Sequence, residues 1–357
     1  MNSLSFDNRT YTPIIFSGID AGSEFLLFRT QWEKANGALI IVDDEKEQAK
    51  EYGLLRDPSL LKSGTEPESD STLEFIWIVI PWRKTAVRTL AKDAYRSLRS
   101  SRNHDLLTKD EASILSKKRI GIAGLNVGNP AAICLAQEGI GSYLRMADND
   151  TLSLSNLNRF RASIADLGVN KAVLSARQAY EIDPFLEIDV WENGVSPESL
   201  SEFVKGIDLL IEEMDAPPLK LAIREEAKRQ HVPTIMITGN GHDIILDIER
   251  FDTDHDLPLL SGKLTNEVKR QIAQGPKNFK EKVALAQDFM GKEYLCERLN
   301  SSFQEVGETL IGIPQLAEAS FLRGAVLAHA CRGILLGEEV KSGRYAFGLS
   351  DLYNKPV

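Results

Sequence analysis

Two cationic side chains follow an acidic strand end near the middle of the chain. Asp148-Asn149-Asp150 ends an apolar run, and Asn156, Arg159 and Lys171 come soon after it. An acidic residue at a strand end is where the ribose of a bound nucleotide is usually held. Two cations beside it suit a triphosphate, because its charge must be spread while a bond to the α-phosphorus breaks. A nicotinamide enzyme needs the ribose carboxylate but not the cations, so this spacing favours ATP chemistry.

The segments before this acidic tip would place a phosphate beside it. Residues 120–123 form an apolar run, residues 124–130 read Gly-Leu-Asn-Val-Gly-Asn-Pro, and residues 143–147 form a second apolar run. This order predicts strand, glycine turn, helix and strand, with Asn129 as the helix N-cap and Pro130 at the first helical position. Glycines let the backbone approach a phosphate, and the helix N-terminus supplies N–H groups. The candidate phosphate-binding residues of the turn are Gly124, Asn126 and Gly128.

Together these residues resemble the ThiF/MoeB/E1-like family of ATP-dependent adenylating enzymes. The resemblance covers roughly residues 100 to 250 well and the rest of the C-terminal part loosely. Residues before about 95 show no resemblance that can be placed. The matching pieces are the 124–130 turn, the D-x-D-x-x-x-x-S-N-L-x-R string of residues 148–159, Gly168-x-x-Lys171-Ala172, Ile182-Asp183-Pro184, and Asp215 after an apolar strand.

The resemblance implies a role for each matching residue. Arg159 and Lys171 would stabilise charge on the phosphates, and Asp215 would hold Mg²⁺. Asp148 would bind the ribose, with Asp150 also at the nucleotide, and Asn156 would contact a phosphate or ribose oxygen. The implied cofactors are ATP and Mg²⁺.

An arginine upstream of the glycine turn reaches the neighbouring subunit's ATP site in this family. Arg102 occupies the best matching place and Arg99 the second best. This implies a homodimer in which Arg102 is donated in trans. A solvated basic cluster between two helices is the alternative.

Three departures from the family pattern stand out. Residues 216–220 read Ala-Pro-Pro-Leu-Lys where the family has an Asn and an Arg, and the glycine turn is one residue short, with Asn126 in place of a Gly. Many ThiF-like enzymes carry two C-x-x-C pairs, but the three cysteines here are widely separated: Cys134, Cys296 and Cys331. We therefore expect no zinc site.

The apolar runs predict a two-part α/β chain. Residues 1–95 should form a small N-terminal α/β domain, with strands that include residues 24–28 and 38–42, for packing, for dimerisation or for recruiting a substrate. Residues 96–357 should form the adenylation domain, a Rossmann-like, mainly parallel sheet with flanking helices. Its C-terminal region from about 252 should be helical and include one long helix over 279–298. Asp252-Thr253-Asp254-His255-Asp256 suggests either a metal cluster or an exposed acidic loop.

Composition narrows the class of protein. The formal net charge of −10 over 357 residues argues against nonspecific nucleic-acid binding, which needs a basic surface. The start of the chain lacks the features of a signal peptide, and the longest apolar run, 75–80, is far too short to span a bilayer. We expect a soluble cytoplasmic protein with no membrane partner.

The predicted reaction is conversion of a carboxylate into an acyl adenylate. The chain shows neither a zinc site nor a clear thioester cysteine, so it resembles the peptide-modifying branch of the family, which includes the pantocin A and microcin C7 enzymes. That branch implies a ribosomally made peptide, with a Glu side chain activated for dehydrative cyclisation in antibiotic biosynthesis and a leader peptide bound by the N-terminal domain. The alternatives are activation of a ubiquitin-like or sulfur-carrier C-terminus, a non-catalytic partner subunit, and a nicotinamide oxidoreductase. Detection of AMP separates the last two from adenylation.

Overall fold

The N-terminal part is a four-stranded sheet with helices packed against it. The computed structural model describes residues 10–68 and 70–352, so residues 1–9 of the predicted N-terminal domain lie outside the described residues. The strand order is β1-β3-β4-β2, in which β2 pairs parallel to β4 and the other pairs are antiparallel. In chain order the elements are β1 (Ile14–Phe16), α1 (Ala21–Asn36), β2 (Ile40–Asp43), α2 (Glu45–Arg56), α3 (Leu60–Ser63), β3 (Phe75–Ile80) and β4 (Thr85–Leu90).

The predicted strand over residues 24–28 is wrong, because this segment lies inside α1. Phe25 and Trp32 are buried and Phe28 is partly buried, a spacing that places all three on one face of a helix. Phe25 stacks on Trp77 of β3 with ring centroids 4.2 Å apart. Residues 24–28 are mostly apolar and so resemble a strand locally, but the helical spacing of Phe25, Phe28 and Trp32 determines the structure.

The rest of the chain is built on a seven-stranded sheet in the order β11-β10-β9-β8-β5-β6-β7. β7, β6, β5, β8 and β9 are parallel neighbours, whereas β10 and β11 add antiparallel strands at one edge. This confirms the predicted Rossmann-like fold class, although β10 was not predicted. The strands are β5 (Arg119–Ala123), β6 (Tyr143–Ala147), β7 (Glu187–Trp191), β8 (Leu209–Glu212), β9 (Thr234–Asn240), β10 (Asp243–Glu249) and β11 (Gly343–Gly348).

Helices cover this sheet and continue into the C-terminal region. They are α4 (Lys92–Arg99), α5 (Lys109–Leu115), α6 (Leu125–Glu138), α7 (Lys171–Ile182), α8 (Leu200–Val204), α9 (Pro217–Arg229), α10 (Asn266–Gln274), α11 (Phe279–Met290), α12 (Glu297–Glu305) and α13 (Ala317–Leu336). The single helix predicted over 279–298 is wrong. Gly291 ends α11 with φ +85° and a short 3₁₀ turn separates it from α12, because a glycine readily adopts this helix-ending conformation.

Helix α13 packs against α6 and the sheet. Gly324 makes the close approach possible, since a Cβ at this position would lie 2.6 Å from the Cβ of Pro130. Within the described residues, α13 is the one helix long and apolar enough to cross a membrane. However, 61% of its most apolar window is buried inside the fold, as in the core helix of a globular domain.

The two parts of the chain meet at α7. Glu181 accepts hydrogen bonds from Trp82 Nε1 and from Arg83, whose Nε and Nη2 lie 2.9 Å from its two carboxylate oxygens. Tyr95 and Arg96 add bonds to the end of α7, with Arg96 Nε 2.9 Å from Asp183. The N-terminal sheet is therefore anchored to the same helix that begins with Lys171.

Candidate functional site

The strand order reverses between β5 and β8, which opens a crevice beyond their C-terminal ends. Gly124 follows β5 there with φ +92°, and a Cβ on it would lie 2.3 Å from the carbonyl oxygen of Glu213 after β8. Both the backbone conformation and this close contact require glycine. The predicted glycine turn therefore lies where a ligand would bind.

Helix α6 begins at Leu125, so the prediction that it begins at Pro130 with Asn129 as N-cap is wrong. Asn129 is fully buried, and its amide donates to Ser175 Oγ at 3.0 Å and to Gln178 Oε1 at 2.7 Å. Pro130 is tolerated one turn inside the helix, where it leaves the Asn126 carbonyl without its usual N–H donor. Sequence rules for helix starts could not foresee this, because tertiary packing keeps the proline in the helix.

Two of the three turn residues face the crevice end of α6. The N–H of Leu125 donates to Asp148 at 2.6 Å, and the next first-turn residues, Asn126 and Val127, have no acceptor for their N–H groups within the helix. Such a helix N-terminus suits a phosphate. Gly128 differs from Gly124 and Asn126, because its N–H bonds Gly124 and a Cβ on it would lie 2.5 Å from Ile122. Its place is in packing α6 onto β5.

Asp148 lies at the end of β6 and is 8% exposed. Its Oδ2 accepts the Leu125 N–H, and its Oδ1 accepts the Asp150 N–H at 2.8 Å. Burial raises the pKa of Asp148, while these hydrogen bonds and the charge of Lys171 act in the opposite direction. The carboxylate thus joins the start of α6 to the end of β6, beside the position predicted for a ribose.

Lys171, the first residue of α7, reaches the same strand end. Its Nζ lies 2.9 Å from Asp150 Oδ2, and the lysine is only 4% exposed. Asn170 caps the helix by accepting the N–H groups of Ala172 and Val173. The structure therefore brings Asp148, Asp150 and Lys171 together at this strand end.

Asn156 and Arg159 lie in the loop that follows the acidic tip. The Oδ1 of Asn156 accepts the Ser153 N–H at 3.1 Å, so this buried amide shapes the loop. Arg159 donates through Nη1 to Ser155 O at 3.1 Å and to Asn158 Oδ1 at 2.8 Å. Burial lowers the pKa of Arg159, and the charge of Asp215 partly offsets this effect.

Asp215 follows β8 on the opposite side of the crevice and is exposed. In the described part of the chain it forms no hydrogen bond or ion pair, and no group of three or more metal-ligating side chains occurs there. The chemistry of the site still fits Mg²⁺, since this ion is usually bound by one or two carboxylates together with substrate phosphates. The other candidate, residues 252–256, forms no metal cluster within the described residues, and Asp252 pairs with Arg250 instead.

Arg102 is exposed and lies at the other end of α6. The neighbouring Asn103 donates to Glu138 O at 3.4 Å, and Arg99 donates to the carbonyls of Ala136 and Gln137. The 14 residues of α6 span about 21 Å at 1.5 Å per residue, so Arg102 is remote from the glycine turn of its own chain. Arg99 caps the C-terminal end of α6 through these hydrogen bonds. The role of Arg102 in trans stays a prediction.

Three further charged residues at the crevice were not predicted. Arg323 of α13 is 2% exposed, its Nη2 donates to Gln315 Oε1 at 3.2 Å, and a Cβ on Gly239 of β9 would lie 2.9 Å from its Nη1. Arg161 lies over the Phe321 ring at 3.9 Å. Glu213 accepts the Ile237 N–H, and burial raises its pKa to about 8. An arginine near the start of a mostly apolar helix was the signal that could have identified Arg323.

Several polar atoms around the crevice have no partner. Among the residues that the structure describes, six buried side-chain nitrogen or oxygen atoms make no hydrogen bond. Asn126 Oδ1, Arg159 Nε and Arg323 Nε are three of them. Because buried polar atoms are normally hydrogen-bonded, this concentration fits a site completed by a polar ligand.

Comparisons with known proteins agree with this fold. The pattern of the ThiF family matches residues 99–243. Over 331 residues the chain is 34% identical to "Uncharacterized protein MT1398" of Mycobacterium tuberculosis (strain CDC 1551 / Oshkosh), which covers 88% of this chain and 46% of that protein. Over 127 residues it is 29% identical to the tRNA threonylcarbamoyladenosine dehydratase of Escherichia coli (strain K12), covering 35% and 46%. The chain thus spans less than half the length of these relatives.

Solved structures share the architecture at low identity. PaaA is similar with a TM-score of 0.51 and 20% identity, over 72% of this chain and 77% of that chain. The E. coli tRNA N6-threonylcarbamoyladenosine dehydratase TcdA in complex with AMP gives a TM-score of 0.52 and 19% identity, over 70% and 98%. At such identities the similarity shows the fold alone.

Proposed function

We propose that residues 99–243, which form a ThiF family domain as the sequence resemblance predicted, activate a carboxylate by ATP-dependent adenylation. The observation that carries this proposal is the arrangement of Lys171 and Arg159 around the open N-terminus of α6. Arg159 keeps a buried Nε without a partner, and Lys171 is held at the crevice by Asp150. Positioned cations and free N–H groups are what a triphosphate needs from a protein.

The bond changes assign a task to each side chain. A carboxylate oxygen of the substrate attacks the α-phosphorus, an oxygen–phosphorus bond forms, and the bond from the α-phosphorus to the bridging oxygen breaks. Pyrophosphate leaves with the electron pair, and the acyl adenylate remains. Arg159 and Lys171 stabilise the negative charge that gathers on the phosphate oxygens, and Asp148 orients the nucleoside through the ribose. Asp215 would hold Mg²⁺, which neutralises phosphate charge when bound.

The substrate in this proposal is a ribosomally made peptide with a Glu side chain as the activated carboxylate. An internal amide or amine nitrogen then attacks the acyl carbon, loses its proton and releases AMP, so the peptide is cyclised with net loss of water. Among the described strands β2 lies at an edge of the N-terminal sheet, and the exposure of Ile40 and Val42, 62% and 42%, supports a peptide partner there. An extended segment can add as a strand to such an edge. The N-terminal sheet would then bind a leader peptide.

The proposed working unit is a cytoplasmic homodimer, since ATP is the cosubstrate and Arg102 must come from a second copy. Arg102 is exposed and lies at the far end of α6 from its own crevice. That position supports donation to a partner's triphosphate rather than to its own.

Release of AMP and pyrophosphate from ATP and Mg²⁺ tests the proposal, with and without candidate peptides, for the wild type and Asp215→Ala. Asp20→Ala is the matched control, because Asp20 is an exposed carboxylate before α1. We expect peptide-dependent AMP that is lost in Asp215→Ala and kept in Asp20→Ala. ADP and phosphate would indicate carboxylate phosphorylation instead. AMP that forms only with a carrier protein would favour the E1-like alternative, and ATP binding without turnover would favour a non-catalytic subunit.

A further inference from the structure

Three arginines form one cationic face of the crevice, which we call the arginine face: Arg159, Arg161 and Arg323. The Ser320 hydroxyl links the first two, since its Oγ donates to Arg159 O at 3.0 Å and lies 3.5 Å from Arg161 Nη1. Arg323 follows Ser320 one turn later on α13. Burial lowers the pKa of Arg323, and the positive charges of Arg159 and Arg161 lower it further. Across residues 10–68 and 70–352, no carboxylate forms an ion pair with any of them. Asp215 and Glu213 act on Arg159 and Arg323 without forming an ion pair, so the positive charge of the arginine face is only partly offset.

Arg323 is the most unusual member of the arginine face. It is 2% exposed, yet its hydrogen-bond acceptor is the neutral amide of Gln315 and its Nε has no partner. Glu213 accepts the Ile237 N–H, and within the described residues it forms no ion pair with Arg323. A buried cation without a counterion costs stability. Packing alone does not explain why an apolar helix keeps it.

The arginine face extends away from the nucleotide residues. Gly124 and Asp148 follow β5 and β6, whereas Arg323 lies beside Gly239 near the end of β9, two strands from β5. Two strand spacings are about 10 Å. Arg159 connects the two regions, since its carbonyl accepts the Ser320 hydroxyl of α13 and the charge of Asp215, after β8, acts on its guanidinium. A nucleotide on β5 and β6 therefore leaves Arg161 and Arg323 for another anion.

We propose that Arg161 and Arg323 bind the substrate carboxylate that is to be activated, and that Phe321 marks the opening through which the substrate enters. This assignment rests on the adenylation function proposed for the domain. A planar guanidinium binds a carboxylate through two parallel hydrogen bonds, which would orient one oxygen for attack. Phe321 is 63% exposed and stacks against Arg161, so it offers an apolar surface to the chain that bears the carboxylate. The substrate class is thus a free carboxylate on an apolar or flexible stem.

Thermal unfolding in sodium acetate and in sodium chloride at equal ionic strength tests this subsite, with acetate as the carboxylate probe. The variants are Arg323→Gln and Arg161→Gln. Because Arg161 is only half-buried, its variant keeps the test valid if Arg323→Gln does not fold. Arg332→Gln is the matched control, because Arg332 lies on the same helix but pairs with Glu138 at 2.8 Å. ATP affinity is measured in parallel by calorimetry.

We expect the thermal unfolding midpoints of the wild type and of Arg332→Gln to be higher in acetate than in chloride. This difference should be lost in Arg323→Gln and Arg161→Gln. ATP affinity should stay within about twofold in every variant. Persistence of the acetate effect in Arg323→Gln and Arg161→Gln would overturn the subsite, as would competition between acetate and ATP. Wild type that responds to acetate but does not bind ATP would refute adenylation and leave the subsite standing.

Discussion

Lys171 Nζ lies 2.9 Å from Asp150 Oδ2, and the two side chains differ sharply in exposure, at 6% for the lysine and 60% for the aspartate. The aspartate thus covers a buried ammonium from the solvent side. A phosphate that reaches Lys171 must share it with Asp150 or displace this carboxylate. The two residues therefore have different functions: Lys171 stabilises charge, and Asp150 positions Lys171.

Replacement of Lys171 by Gln should reduce the rate of AMP formation by roughly 100-fold or more, because one preorganised donor to the developing charge is lost. Asp150→Asn should act mainly on the KM for ATP, since the lysine remains but is less well positioned. Steady-state release of pyrophosphate measures both. Lys205→Gln, which alters an exposed lysine 3.9 Å from Glu202, is the control that should match the wild type. Equal loss in both Lys171→Gln and Lys205→Gln would contradict this role.

Replacement of Gly124 by Ala should abolish ATP binding and destabilise the fold. A Cβ would lie 2.3 Å from Glu213 O, and the backbone conformation at φ +92° alone costs a non-glycine residue about 1–3 kcal/mol. Urea unfolding gives the loss of stability. Gly22→Ala is the matched control, because a Cβ there meets nothing within 4 Å inside α1 and should be neutral or stabilise by about 0.5–1 kcal/mol. A stable, ATP-binding Gly124→Ala protein would mean that the ends of β5 and β8 separate easily.

The nucleotide side of the crevice could be predicted from sequence because its residues are fixed by local order. Asp148, Lys171 and Asp215 each follow a strand or begin a helix, and parallel strand ends meet at one edge of a sheet. Arg323 could not be placed in this way, since its position depends on α13 packing across β9, far away in the sequence. The start of α6 was misplaced for a similar reason, because contact with Gly324 keeps Pro130 inside the helix. Local patterns predict the elements, and long-range packing completes the site.

Glu213→Gln should change how stability depends on pH. Burial raises the pKa of Glu213 from 4.5 to about 8, an effect increased by Glu212 and reduced by Lys220, the Ile237 hydrogen bond and Arg323. The folded state therefore keeps a proton that the unfolded chain releases. The wild type should lose stability as pH rises from about 4.5 to about 8 and level off above that. Gln keeps an oxygen for the Ile237 N–H but does not titrate.

The measurement for Glu213 is the free energy of unfolding in urea at several pH values between about 5 and 8. The difference between wild type and Glu213→Gln should shift steadily in favour of the variant as pH rises, because other titrating groups are common to both proteins. Parallel curves across this range would show that Glu213 is already ionised in the folded state.

Mixing two inactive variants tests whether Arg102 acts in trans. Arg102→Ala and Lys171→Gln should each lose activity as homodimers. In a mixed dimer, the subunit with intact Lys171 receives Arg102 from its partner, so one complete site forms. Random exchange of equal amounts makes roughly half of the dimers mixed, each with one of its two sites complete, so about a quarter of the wild-type rate of AMP release should return.

Arg99→Ala is the matched variant for this test, because Arg99 closes α6 by donating to the Ala136 and Gln137 carbonyls of its own chain. Loss of that contact should lower the stability of the Arg99→Ala subunit. Mixing Arg99→Ala with Lys171→Gln should not restore this stability. Full activity of Arg102→Ala alone would exclude the residue from the site. An inactive Arg102→Ala that mixing never rescues, in subunits shown to exchange, would mean that Arg102 acts within its own chain. Its position at the far end of α6 argues for rescue.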